Sequence, residues 1–164
     1  METIFANDKP YKTMKNIFLK RTNSNDPDFK LLVILLDNDL DKINGIIQLA
    51  YNQHNVIDFI ETVLIAYVDG IPAGCGCFKK FNDDTVEIKR MFVKEDQRCQ
   101  GIAGTLLTEL EQWAKEKNYT HAVLETGKRH AEALHLYAKK GYTITENYEP
   151  YIGMEESVCM AKSL

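Results

Sequence analysis

The residues best placed to do chemistry form one short stretch, Arg98-Cys99-Gln100-Gly101-Ile102-Ala103-Gly104. It lies between a strand-like run, Val86 to Val93, and a strongly helical run, Leu106 to Lys117. The first amides of a helix have no intrahelical partners and the dipole there is positive, so such a turn is suited to hold an anion. Gly101 and Ala103 let a phosphate approach the backbone closely, and Arg98 adds a positive charge. An ordinary strand-to-helix turn, with glycine present only for geometry, fits the same residues. Neither G-x-x-x-x-G-K-[ST] nor G-x-G-x-x-G occurs, so a nucleotide triphosphate or a dinucleotide is a weak expectation.

Other chemistry-bearing residues are scattered. Glu87 lies on the strand leading to the loop. Strand periodicity sets Glu87, Lys89, Met91 and Val93 on one face and Val86, Ile88 and Phe92 on the other. Glu125 ends a later short apolar run. The segment Tyr51-Asn52-Gln53-His54-Asn55 is polar and lacks periodicity, as a solvated loop or a site lining would. The four cysteines, Cys75, Cys77, Cys99 and Cys159, include no C-x-x-C pair. Zinc is therefore not expected, and reduced thiols in a cytoplasmic protein are the simplest reading.

The elements that must position these residues follow from local signals. Asn16 to Thr22 reads as a first strand. Asp26 as cap and Pro27 at the first helical position start a helix, with Phe29, Leu32, Val33, Leu36 and Leu40 at helical spacing and an end near Gly45. Ile46 to Ala50 suits a second short helix. Thr62 to Val68 is a buried strand, Asp69-Gly70 a hairpin turn, Ile71 to Phe81 the returning strand and Thr85 to Lys94 the next. After the loop, Ile102, Leu106, Leu110, Trp113 and Ala114 mark one helix face. Ala122 to Thr126 is a strand, parallel to the Val86 strand because a helix connects them. A helix over Ala131 to Lys140 closes at Gly141. Tyr142 to Tyr148 and Ser157 to Ala161 are the last strands. This order predicts a mixed α/β single domain over residues 1–164, with residues 1–15 as a loosely ordered arm.

Composition agrees. The 164 residues, 45% hydrophobic and 27% charged, are enough for one core. The net charge of −4 argues against nucleic acid or an anionic membrane as partner and suits a cationic or amine substrate. No apolar leader occurs near the N-terminus, and the plain aliphatic run Leu31 to Leu36 is too short to span a bilayer.

Arg98-x-x-Gly101-x-Ala103 resembles the Q/R-x-x-G-x-G/A signature of the GNAT superfamily of N-acetyltransferases. Leu136-Tyr137 followed by Gly141-Tyr142 looks like that family's L-Y-x-x-x-G-F/Y segment. Glu87 precedes Arg98 by eleven residues, where several members carry a catalytic glutamate. Glu125-Thr126-Gly127 and Asn147-Tyr148-x-Pro150-Tyr151 are similar to a bacterial subgroup acting mainly on small molecules. Two departures stand out: His130 occupies a place where members often carry Asn, and Ala103 one where many carry Gly.

The resemblance implies a GNAT-like fold, a central and mostly antiparallel mixed sheet flanked by helices. It implies acetyl-coenzyme A as cosubstrate, no metal, and direct transfer to an amine of a small molecule or peptide. Diphosphate contacts then fall to Arg98, Cys99, Gln100, Gly101, Ile102, Ala103 and Gly104, and pantetheine contacts to Met91, Phe92, Val93 and His130. Glu87 is the candidate base, with Glu125 as alternative base or amine anchor. Tyr137 is the candidate acid at the departing sulfur. Tyr51, Asn52, Asn55, Glu125, Tyr148 and Tyr151 are the acceptor-side candidates. Cys99 as an acyl-carrying nucleophile is the competing chemistry, since a thiol near a helix N-terminus has a lowered pKa; no histidine stands near it in sequence. A non-catalytic coenzyme A-binding regulatory module is the competing function. Members are commonly dimers, so the resemblance allows a homodimer.

Overall fold

The cap signal at Asp26-Pro27 acts as its chemistry requires. In the computed structural model, which describes residues 15–52 and 58–164, helix α1 spans Pro27–Asn44, and the Asp26 carboxylate accepts the Asp28 N–H at 2.9 Å. Phe29, Leu32 and Leu36 form its buried face. A 3₁₀ turn, Gly45–Ile47, leads into the short helix α2, Gln48–Asn52. Only Lys15 of the expected N-terminal arm lies within the described residues.

Among the described residues, seven strands make one sheet: β1 (Ile17–Thr22), β2 (Val63–Val68), β3 (Ile71–Lys80), β4 (Thr85–Val93), β5 (His121–Gly127), β6 (Thr143–Thr145) and β7 (Ser157–Ser163). Their order is β1-β2-β3-β4-β5-β7-β6. Every neighbouring pair is antiparallel except β4 and β5. Helix α3, Ile102–Glu116, makes that crossover, and helix α4, Ala131–Lys139, follows β5. The helices cover both faces, which is why β2 reads as an unbroken apolar run rather than alternating. One core packs under α3 from Val86, Ile88, Leu106, Leu107, Leu110 and Leu124. The other packs under α1 from Phe29, Leu32, Ile65, Cys75, Cys77 and Phe92.

Two local expectations need correction. The strand expected over Tyr142 to Tyr148 is only Thr143–Thr145, because Tyr142 is buried edge-on against Tyr137 at 5.9 Å and is not paired in the sheet. The regular alternation expected along β4 also fails. The β3–β4 register passes from Cys75↔Phe92 to Cys77↔Lys89, so Gly76 opposes both Arg90 and Met91. Arg90 takes a φ of 56°, and this bulge turns the chain over. Val86, Ile88, Met91 and Val93 therefore meet the α3 core, while Phe92 joins the α1 core. Glu87 and Lys89 stay on the α1 side, where Lys79 and Cys77 face them across the ladder.

Candidate active site

The parallel pairing of β4 and β5 stops at Ile88↔Leu124. Beyond it the strands separate, and a cavity of about 160 Å³ opens between them. Its floor and walls come from Ile88, Lys89, Arg90 and Met91 of β4, Glu125 and Thr126 of β5, and Ala133 and Tyr137 of α4. Leu36, Leu40, Asn44, Gln48 and Tyr51 close it from the α1–α2 side.

The loop past β4 ends in a preformed nest of donors. Gly101, the N-cap of α3, sits at φ 80°, a left-handed conformation that favours glycine. The helical ladder begins with Thr105 N–H on Gly101 C=O at 3.0 Å, leaving the amides of Ile102, Ala103 and Gly104 ahead of it. A side-chain carbon at Gly101 would meet nothing within 4 Å, so the space above the turn is open to an anion. Lys140, at the end of α4, lies over this first turn. It donates to Thr108 Oγ1 at 2.9 Å, and a carbon at Gly104 would stand 3.2 Å from its Cε.

The Arg98 guanidinium is a brace at this loop. Its Nε donates to Val93 C=O at 2.9 Å and one Nη to Asp39 Oδ2 at 2.6 Å. Arg98 thereby ties the loop to the end of β4 and to α1. Cys99 and Gln100 are exposed beside it, and Cys99 has a left-handed φ of 60°. Cys99 is not among the residues lining the cavity.

Glu125 and Tyr137 both line the cavity. Burial pushes the Glu125 carboxyl above the ordinary carboxylate range, with Ser157 and Lys89 offsetting it in part and Glu87 adding to it. Burial also raises the Tyr137 hydroxyl, and the Glu125 charge raises it further, so the phenol holds its proton. Burial lowers His130, which favours the neutral ring; its Nε2 lies 3.3 Å from Asn44 Oδ1. Ser157 Oγ donates to Tyr51 Oη at 3.0 Å.

Glu87 is placed differently. It is buried, accepts the Tyr148 hydroxyl at 3.1 Å on Oε1, and has Lys89 Nζ at 3.6 Å and Lys79 Nζ at 3.8 Å. It does not line the cavity, and neither do Tyr148 and Tyr151. Tyr151 is buried with its ring against Tyr148 and its hydroxyl accepting from Lys89 at 3.3 Å. Asn52 is exposed and away from the cavity, and Asn55 lies outside the described residues. The structure therefore brings together Met91, Glu125, His130, Tyr137 and Tyr51 among the expected residues. Phe92 and Val93 have buried side chains. It adds Lys89, Asn44 and Gln48, which local sequence did not signal; the helical spacing of Leu36 and Leu40 was the one hint that α1 reaches the site.

Comparison with known proteins gives a consistent picture. The family model described as acetyltransferase (GNAT) matches residues 37–142, more than half of the chain. An IAA acetyltransferase of Azospirillum brasilense is 30% identical over 140 residues, covering 80% of this chain and 90% of its own. A Klebsiella pneumoniae protein named an acyl-CoA N-acyltransferase superposes with a TM-score of 0.76 at 26% identity, over 90% of this chain and 97% of that one. The fold is shared at a TM-score of 0.64 and 22% identity with an Elizabethkingia anophelis GNAT family acetyltransferase whose structure holds acetyl-CoA, over 91% of this chain and 99% of that one.

Proposed function

We propose that this chain, which belongs to the acetyltransferase (GNAT) family, moves an acetyl group from acetyl-CoA to a primary amine of a small molecule or peptide by direct attack in a ternary complex. The observation that carries this reading is the opened β4–β5 seam, where Glu125 and Tyr137 line one cavity.

The thioester supplies an activated acyl group. The amides from Cys99 to Gly104 hold the diphosphate, with Lys140 alongside them and Arg98 keeping the loop in shape. The open space over Gly101 fits that group. The β4 backbone from Met91 to Val93 faces the opened seam and supports the pantetheine arm, with His130 across from it. Glu125 takes a proton from the substrate ammonium, a task that suits a carboxylate made more basic by burial. The amine nitrogen then bonds to the acyl carbon, the carbon–sulfur bond breaks, and Tyr137 gives its phenolic proton to the leaving thiolate. Glu87 supports the site from behind. Four free thiols suit a reducing cytoplasm.

Calorimetric titration with acetyl-CoA, with ATP and NAD as controls, tests the donor site. Micromolar binding of acetyl-CoA alone is expected, followed by thiol release with an amine panel. Absence of binding by the folded protein would overturn the reading. Tyr137→Phe should lower turnover while leaving acetyl-CoA affinity nearly intact.

A further inference from the structure

Lys89 and Glu125 each follow the last paired residues of the parallel seam, Ile88 and Leu124. Ile88 and Leu124 belong to the α3 core. Lys89 and Glu125 therefore stand side by side on the opposite face, where Cys77 and Cys159 are their ladder partners. Both line the cavity. Lys89 and Glu125 thus lie on the same wall of one cavity.

Among the described residues the Lys89 ammonium is incompletely hydrogen-bonded. Its side chain is only 14% exposed. Among the described residues it makes one long hydrogen bond, 3.3 Å to Tyr151 Oη. The nearest carboxylate oxygen, Glu87 Oε1, lies at 3.6 Å, beyond hydrogen-bond length, and that oxygen already accepts from Tyr148. An ammonium has three donors, and a buried charge is costly unless hydrogen-bonded. Burial accordingly lowers the pKa of Lys89, even against the opposing pull of Glu87. Among the other cations of the lining, Arg90 pairs with Asp37 at 2.7 Å, Arg129 lies 3.6 Å from Glu156, and Lys128 is exposed to solvent.

We propose, resting on the acetyl-transfer reading, that the acceptor is an amine that also carries a carboxylate, which Lys89 binds while Glu125 faces the amine. Adjacent strands lie about 4.8 Å apart before they splay, so the two charges match a compact zwitterion. A polyamine would bring a second cation against Lys89 and is disfavoured.

The test compares α-amino acids with their decarboxylated amines, such as phenylalanine with phenethylamine, in thiol-release assays. Wild type, Lys89→Met and Lys89→Arg are measured on the same pairs. The carboxylated member should be used at least about tenfold better in kcat/KM, the difference residing in KM. Lys89→Met should bring the pair to near equality, and Lys89→Arg should restore part of the preference. Equal use of both members by the wild type would overturn the proposal, whatever the variants do. So would a preference that survives Lys89→Met, or an equal loss of kcat for both members, which would put Lys89 at the acyl group. A protein that binds acetyl-CoA yet acetylates no carboxylated member also overturns it. Failure to bind acetyl-CoA would be a separate result, removing the acetyl-transfer reading and this inference with it.

Discussion

Tyr148 donates its hydroxyl to Glu87 Oε1 at 3.1 Å, and Lys89 Nζ stands 3.6 Å from the same oxygen. A carboxylate held by a phenol and two flanking ammonium groups is a strut between β4, β3 and the segment before β7. Its consequences differ from those of a proton acceptor in the cavity.

Glu87→Gln leaves the Lys89 and Lys79 charges without their shared counterion. Loss of one partner of a buried pair strands the other, so stability should drop by about 1–3 kcal/mol. Turnover should fall less than about tenfold, because Gln retains the bond from Tyr148. Chemical denaturation and steady-state assays read the two effects. A loss of turnover larger than that of Glu125→Gln would return Glu87 to the role of base.

Glu125→Gln should lower kcat by about 10²–10⁴-fold, the usual worth of a positioned base. In the wild type, kcat/KM should rise with pH through an ionisation above the ordinary carboxylate range, as burial dictates; the variant should lose that limb. The stability sign is opposite. A folded-state carboxyl pKa above the unfolded one means the native state holds the proton more tightly, so stability declines as pH rises through the raised value. Glu125→Gln should therefore melt roughly 2–4 °C higher at pH 8, what about 1 kcal/mol yields in a domain of this size. An unchanged pH profile would remove Glu125 as the base.

Arg98 and Asp39 test brace against charge. If the guanidinium acts by tying the loop to α1, Asp39→Asn and Arg98→Met should raise the KM for acetyl-CoA alike, by about three- to tenfold. If Arg98 serves as a bare positive charge for phosphate, only Arg98→Met should do so, with a steeper dependence on salt.

Gly74 and Gly101 should separate packing from ligand binding. A carbon at Gly74 would lie 2.7 Å from the Phe92 carbonyl oxygen, a backbone atom that cannot move aside cheaply. Gly74→Ala should cost about 1–3 kcal/mol in a denaturant melt. Gly101 has open space but a φ of 80°. Gly101→Ala should cost about 1–2 kcal/mol through left-handed strain, and should weaken acetyl-CoA binding, which Gly74→Ala disturbs only through the fold.

The strand, turn and helix around Arg98–Gly104 were legible in the chain, as were the Asp26-Pro27 cap, the Asp69-Gly70 hairpin, the parallel placement of β5 and the membership in its family. Each is encoded within a few residues, by capping, by a glycine at positive φ, or by periodicity. The bulge at Arg90 was not, since Lys89-Arg90-Met91 carries no turn residue; Gly76, which lies opposite on β3 and leaves room for Met91, reveals its purpose only across the ladder. The same holds for the site. Tyr137 and Glu125 could be named from sequence, but which carboxylate faces the cavity depended on Tyr148 reaching Glu87 from 61 residues away. The chain alone determined the fold and the glycine turn that opens α3, because short-range sterics and hydrogen bonding decide them. Only the tertiary structure set Lys89 beside Glu125 and turned Glu87 to Tyr148 and the flanking lysines, because burial and charge pairing arise between segments that meet after the sheet has formed.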